Sequence, residues 1–234
     1  MKLLFNILLL IAFTSAFAQE TPYSVPLDST NKGQEYIPTG IRVNVDILGP
    51  ALHAFGNQLV SYEFIVETDF SNFNMMVEFG HQQFTETNDN ADYSMKGSFA
   101  RIGPEVNFLG TDKQLNSFTF GLRYAWANFT ETVVGDVVED NWGAVPVNFD
   151  TQINKSYWVE MTTGIKVRLI KGFFTGYVLR FRFLRSGTQP DVPFTPYYVP
   201  GYGLADRENT WGFRYYIGYR FQWAKKPVKV KKVK

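Results

Sequence analysis

Eight stretches of this chain alternate between apolar and polar residues, and the apolar side of each carries no charge. A period of two marks a β-strand with two different faces. In the first stretch Ile41, Val43, Val45 and Ile47 share one face, and Arg42, Asn44 and Asp46 the other. Tyr62, Phe64 and Val66 then oppose Ser61, Glu63 and Glu67. Phe73, Met75, Val77 and Phe79 oppose Asn74 and Glu78, and Ala100, Ile102, Val106 and Phe108 oppose Arg101, Glu105 and Asn107. The fifth stretch sets Phe118, Phe120, Leu122, Tyr124 and Trp126 against Thr119 and Arg123. The last three place Glu160, Lys166 and Arg168, then Arg180 and Arg182, then Arg214 and Arg220 behind long apolar faces. Pro104 lacks the amide that a ladder needs, so a bulge or local break is expected there.

The links between these strands differ in length. Those at Ser71-Asn72 and Lys171-Gly172 are tight, and Gly110 to Ser117 is intermediate. Roughly Gln82 to Tyr93, Glu131 to Lys155 and Arg185 to Thr210 read as long loops, with Gly49 to Gln58 moderate. Short turns at one end and long loops at the other are the pattern of an outer-membrane barrel, whose long loops face outside the cell. The expected fold is therefore all-β, an eight-stranded antiparallel transmembrane barrel with both termini at the short-turn end.

A soluble eight-stranded barrel shares the alternation, so periodicity alone does not say which face points inward. Two features favour the membrane. The apolar faces are about as long as a bilayer crossing, roughly 9–11 residues. Their ends are aromatic at two levels: Phe73, Phe108, Phe118, Phe173, Phe221 and Trp223 at one, Tyr62, Phe79, Trp126, Tyr157, Phe183 and Trp211 at the other. Rings of this kind settle at the two lipid–water interfaces. The charged faces then line a lumen only wide enough for side chains to fill, where opposite charges should pair. That predicts a plugged barrel and not a porin.

Residues 1–18 read as a signal peptide, with Lys2, the apolar run Leu3 to Phe13 and the Ala16-Phe17-Ala18 cleavage site. Residues 19–38 are polar and dotted with proline, a flexible periplasmic leader; residues 39–224 form the barrel and residues 225–234 a basic periplasmic tail. The tail AKKPVKVKKVK suits either contact with anionic headgroups or plain solvation. The chain has no cysteine and a net charge of +1, so it carries neither a disulfide framework nor a bias toward nucleic acid.

The segments GIRVNVDILGP, YEFIVETDFSNFNMMVEFG, GSFARIGPEVNF, FTFGLRYAWANF, YWVEMTTGIKVRLIKGFFTGYVLRFR and YYVPGYG before WGFRYYIGYRFQW resemble an uncharacterised Bacteroidota family of outer-membrane β-barrels, domain of unknown function family 6048. The resemblance spans about Gly40 to Trp223 and implies fold and location. It implies no catalytic or binding residue.

Candidate chemistry is sparse. His53 and His81 fall at outer strand ends, and Glu78, Thr85 and Glu86 lie near His81 in sequence. No spacing fixes a nucleophile–base pair, and two histidines without cysteine argue against zinc. Pro200-Gly201-Tyr202-Gly203 lacks the flanking strand and helix of a phosphate loop and reads as turn chemistry. No catalytic, cofactor-binding or metal residue is assigned, and no cofactor is expected. The reading is a non-enzymatic envelope protein, structural or partner-binding, in the outer membrane. Its expected partners are outer-membrane lipid and lipopolysaccharide, with an envelope protein through the outer loops. The alternatives are a lipid-modifying enzyme at the outer rim and an accessory component of a secretion or assembly complex.

Overall fold

The structure, a computed structural model, describes residues 24–26, 38–70, 73–87, 91–109, 112, 114–139, 143–150, 154–188 and 196–228. The expected signal peptide, most of the expected leader and residues 229–234 of the expected tail lie outside the described residues. Three leader residues, β1 (Ser24–Pro26), lie parallel to β13 (Lys226–Val228) of the tail. Among the described residues no helix is long and apolar enough to cross a membrane.

The chain folds as a closed antiparallel barrel. Its eight strands are β2 (Gly40–Asp46), β3 (Leu59–Phe70), β4 (Phe73–Thr87), β5 (Ala91–Asn107), β6 (Ser117–Glu139), β8 (Asn154–Ile170), β9 (Phe173–Thr188) and β12 (Thr210–Gln222). The ladder runs β5-β4-β3-β2-β12-β9-β8-β6, and pairing of β5 with β6 closes it. Closure removes the free edges that an open sheet would expose. The alternation has one parity throughout. Arg42, Glu63, Glu78, Arg101, Arg123, Glu160 and Arg180 are buried in the lumen, while Phe64, Phe79, Ile102, Leu122 and Phe213 are exposed on the outer wall. On that wall the aromatic ends pack against one another across strands. Phe70 lies 5.1 Å from Phe73 and Phe173 4.9 Å from Tyr219 at the short-turn end, and Phe181 lies 4.7 Å from Trp211 toward the other.

Pro104 pairs in register with Met75 on β4, but the β5–β6 ladder skips from Ile102↔Tyr124 to Glu105↔Gly121. The irregularity is a break and not a bulge, since the register is the same on both sides of it. Arg123 Nη1 donates to the carbonyls of Pro104 and Leu122 there, at 3.1 and 3.3 Å. Bulges occur instead between β8 and β9, and Leu184 at one of them has φ 54°.

The long-loop end is more ordered than its composition suggests. β4 and β5 continue to Thr87 and from Ala91, so most of the expected loop Gln82 to Tyr93 is strand. β6 runs on to Glu139 and pairs with β7 (Gly143–Asp150). The moderate link contains a short helix, α1 (Leu48–Ala54). β2 is the shortest barrel strand, and its last rung to β12 is Tyr216↔Asp46. Beyond it, among the described residues, no strand lies between the upper parts of β3 and β12, which leaves a notch in the wall that α1 only partly covers.

Candidate functional site

The lumen comes first, because its contents decide whether anything passes through the barrel. The short-turn half holds an ionic layer. Lys166 Nζ lies 2.6 Å from Glu67 and 2.5 Å from Glu105, Arg42 pairs with Glu67, and Arg123 Nη2 lies 2.8 Å from Glu105. Arg220 pairs with Asp69 at 3.1 Å, nearest the turns. Asp69 continues the parity of Glu63 and Glu67, one step beyond the residues that the alternation singled out in that strand. At mid-height Arg101 reaches Glu160 at 2.9 Å, Glu63 at 3.1 Å and Glu78 at 3.3 Å, and Arg180 reaches Glu78 at 2.8 Å. Guanidinium–carboxylate contacts so shielded from water are stable only as a set, each charge needing its partners.

The long-loop half is filled differently. The segment Tyr197–Ala205 folds down into the mouth, where β10 (Tyr198–Val199) and β11 (Gly203–Leu204) form a two-rung ladder. Val199 and Tyr202 are fully buried among Met95, Phe99, Phe129 and Trp158, which project inward from the strands. Gly201 makes this approach possible. Its φ is +79°, and a Cβ there would lie 2.7 Å from the Phe99 ring. Gly201 N donates to Gln82 Oε1 at 2.8 Å, Arg101 Nη2 donates to Gly201 O at 3.1 Å, and Arg182 Nη1 donates to Tyr202 O at 3.0 Å. The plug therefore rests on the ionic layer and supplies carbonyls to its surplus guanidinium groups. The Gly-Tyr-Gly turn is thus deeper than a loop packed on the rim.

Beyond Trp126 on β6, Glu131 ties the plug to the wall. Tyr93 Oη donates to it, as do Tyr197 N and Asn154 Nδ2, each of the latter two at 3.0 Å. Burial nonetheless pushes its carboxyl above the ordinary range, outweighing these hydrogen bonds.

The two histidines are not brought into one site by any contact. His53 sits exposed on α1, its Nδ1 3.0 Å from Asn57 O. His81 lies on the outer wall, paired with Tyr62 and Ser98 across the strands. Its Nδ1 is 3.0 Å from Ser98 Oγ, and its Nε2 is 3.3 Å from Gln83 Nε2. Glu78, its neighbour in sequence, faces the lumen and is consumed by Arg101, Arg123 and Arg180. Ser98 was missed from sequence because only the β4–β5 register sets it beside His81. Among the described residues no group of three His, Cys, Asp or Glu side chains is placed to hold a metal ion.

No curated protein matches the chain by sequence. Among solved structures it is similar to CarO of Acinetobacter baumannii, at 13% identity over 81% of this chain and 99% of that one, with a TM-score of 0.39. It is also similar to Ail, the attachment invasion locus protein of Yersinia pestis, at 10% identity over 79% and 98% with a TM-score of 0.41. Neisserial surface protein A matches at 10% identity over 80% and 96%, with a TM-score of 0.38. The family model described as domain of unknown function DUF6048 matches residues 1–226, and the chain belongs to that family.

Proposed function

We propose that this protein is a closed, non-enzymatic barrel of the bacterial outer membrane, exported by its signal peptide, whose long-loop end faces outside and serves the envelope as a structural or partner-binding surface. The observation that carries the reading is the filled lumen. Ionic pairs occupy one half and the Tyr197–Ala205 plug the other, so the work falls to the outer wall and the rim. The uncharged, aromatic outer wall suits lipid and lipopolysaccharide as neighbours. Purified protein in planar bilayers should give no steady conductance of porin size. Protease added to intact cells should cut between residues 131 and 155 or 185 and 210, whereas an epitope at Lys171-Gly172 should be reachable only after permeabilisation. Steady anion-selective current, or the reverse accessibility, overturns the reading.

A rim enzyme acting on lipid is the second reading, and the His81–Ser98 contact is the observation in its favour. It lacks the carboxylate that would orient the imidazole. Loss of acyl release from lipopolysaccharide in both His81→Ala and Ser98→Ala would establish it; no activity in the parent protein removes it.

A further inference from the structure

The notch in the wall has a chemistry of its own. Ile47 N donates to Tyr215 O at 3.0 Å, the last backbone bond across this seam. Alternation along β12 then points the backbone groups of Phe213 and Trp211 toward the missing strand. Guanidinium groups serve both carbonyls: Arg214 Nη1 donates to Phe213 O at 3.1 Å and Arg182 Nη1 to Trp211 O at 3.3 Å. The amides of the same two residues face the gap.

A cavity of about 430 Å³ opens here. Arg182, Arg207 and Arg214 line it with Gln82, Asn209 and Thr210, and among the described residues no acidic side chain does. Gly212 lets Arg182 reach the opening, since a Cβ on it would lie 2.2 Å from Arg182 Nη2. The carboxylate beside Arg182 is Glu160 at 3.4 Å, which Arg101 already holds at 2.9 Å. Arg214 is better neutralised, by Glu63 at 2.7 Å and Asp46 at 3.6 Å, while Arg207 is exposed. Arg182 therefore shares its carboxylate with Arg101, and Arg207 lies between Asp206 and Glu208 in sequence.

The cavity also runs through the wall. Arg182 is buried on the lumen side, whereas Trp211, 66% exposed, and Phe213, 46% exposed, belong to the outer face. Arg207 and Asn209 are shared with a second groove, of about 560 Å³, lined by Phe181, Phe183 and Leu184 together with Arg185, Asp206 and Glu208. Cationic donors thus sit at the upper edge of an aromatic strip that descends the outer wall.

We infer that this lateral notch binds a phosphate monoester carried on a sugar, and that its source is the headgroup of a glycolipid in the surrounding leaflet. The phosphate meets Arg182 and Arg207, the sugar meets Trp211, and an acyl chain follows Phe181 and Phe183. Guanidinium forks and backbone amides match the oxygens of a phosphate, and charge-assisted bonds strengthen where water is scarce. The inference rests on the reading that the long-loop end lies in the outer leaflet.

The test uses the full mature chain folded in a phosphate-free, uncharged detergent. Phosphorylated lipid A, its dephosphorylated form, glucosamine 1-phosphate and inorganic phosphate are titrated by calorimetry. Phosphorylated lipid A should bind, and the dephosphorylated form about tenfold or more weakly, the loss expected for one charge-assisted bond. Arg207→Gln, at an exposed position, should weaken binding similarly. Gly212→Ala, which moves only the far end of Arg182, should do the same while leaving the unfolding midpoint near that of the parent. Equal binding of both lipid forms, or unchanged affinity in both variants, overturns the site. Equal affinity for glucosamine 1-phosphate and lipid A overturns the lipid source and assigns the notch to a free phosphosugar. Porin-like conductance would instead overturn the closed-barrel reading, and calorimetry does not depend on that result.

Discussion

In the short-turn half of the barrel the wall is complete, and the strands themselves fill the lumen through Arg42, Glu67, Glu105, Arg123 and Lys166. In the long-loop half the wall is missing β2, and the filling arrives from a distant segment; Gln82 and Gly201, hydrogen-bonded at 2.8 Å, are 119 residues apart. The first half follows from parity, because once alternate residues face a narrow lumen their charges must meet one another. The second half depends on a tertiary event, the descent of Tyr197–Ala205 between inward rings. One half is therefore inseparable from barrel folding, while the other can change without dismantling the wall.

The largest expected effect tests that separation. Arg123→Met strips Glu78 and Glu105 of a shared partner and should cost about 3–5 kcal/mol in urea unfolding from detergent micelles. Tyr202→Ala removes an equally buried side chain from the plug. It should leave the unfolding midpoint close to that of the parent and show instead as intermittent conductance. Equal losses of stability in the two variants would erase the distinction between the halves.

The outer wall gives the next effect. Leu179→Arg places a charge on the lipid face near mid-height and should cost about 2–4 kcal/mol, whereas Phe183→Arg, nearer the rim, should cost about 0–1 kcal/mol. Arg180→Leu should destabilise the barrel from the inside, because Arg180 lies 2.8 Å from Glu78 and its loss strands that carboxylate. Equal penalties at Leu179 and Phe183 would mean that the depth assignment is wrong.

The same contrast governs what could be read from sequence. The parity of Arg42, Glu63, Arg101, Glu160 and Arg180 was legible because burial on one side of a sheet imposes a period of two, and the structure keeps it in every strand. The parity continues upward, but its chemistry inverts: Met95 and Phe99 are buried inward, while Asp92, Ser94, Lys96 and Ser98 of the same strand are exposed. The apolar phase therefore slips by one residue near Phe99 and Ala100, and β4, β5 and β6 seemed to end where they continue. The notch, the Ser98–His81 contact and the plug each require the register between strands, which no local pattern encodes. The glycines of Pro200-Gly201-Tyr202-Gly203 announced a turn, but the Phe99 ring that demands Gly201 is about a hundred residues away, as the Arg101–Gly201 hydrogen bond records with a separation of 100.

That glycine sharpens the comparison at a smaller scale. Gly201→Ala combines a left-handed φ with a collision against Phe99 and should loosen the plug by roughly 1–3 kcal/mol, seen as faster amide exchange at Tyr198–Gly203. Gly56→Ala carries a φ of +93° in open space and should show only the backbone penalty, about 1–2 kcal/mol, confined to the turn after α1. Exchange in the plug that is unchanged by Gly201→Ala would mean that Phe99 does not dictate the glycine.

The smallest effect concerns pH and only the long-loop half. Glu131 accepts hydrogen bonds from Tyr93, Tyr197 and Asn154, yet burial raises its pKa above the ordinary carboxylate value. A raised folded pKa means that the plugged form holds its proton more tightly than the opened form does. The resulting stabilisation is fully present below the ordinary carboxylate pKa and is lost as pH rises through the raised value. The plug should therefore be held more tightly in acid and loosen toward neutrality, by no more than about 1.4 kcal/mol for each pH unit of that window. Amide exchange at Tyr198–Gly203, corrected for its intrinsic pH dependence, reads this directly. Glu131→Gln keeps the shape and most of the acceptors but has no proton to exchange, so its plug should lose the pH dependence. The amides between the β8–β9 turn and mid-barrel should not respond in either protein. A Glu131→Gln variant that keeps the parent's pH profile would move the titration to another group and detach Glu131 from control of the plug.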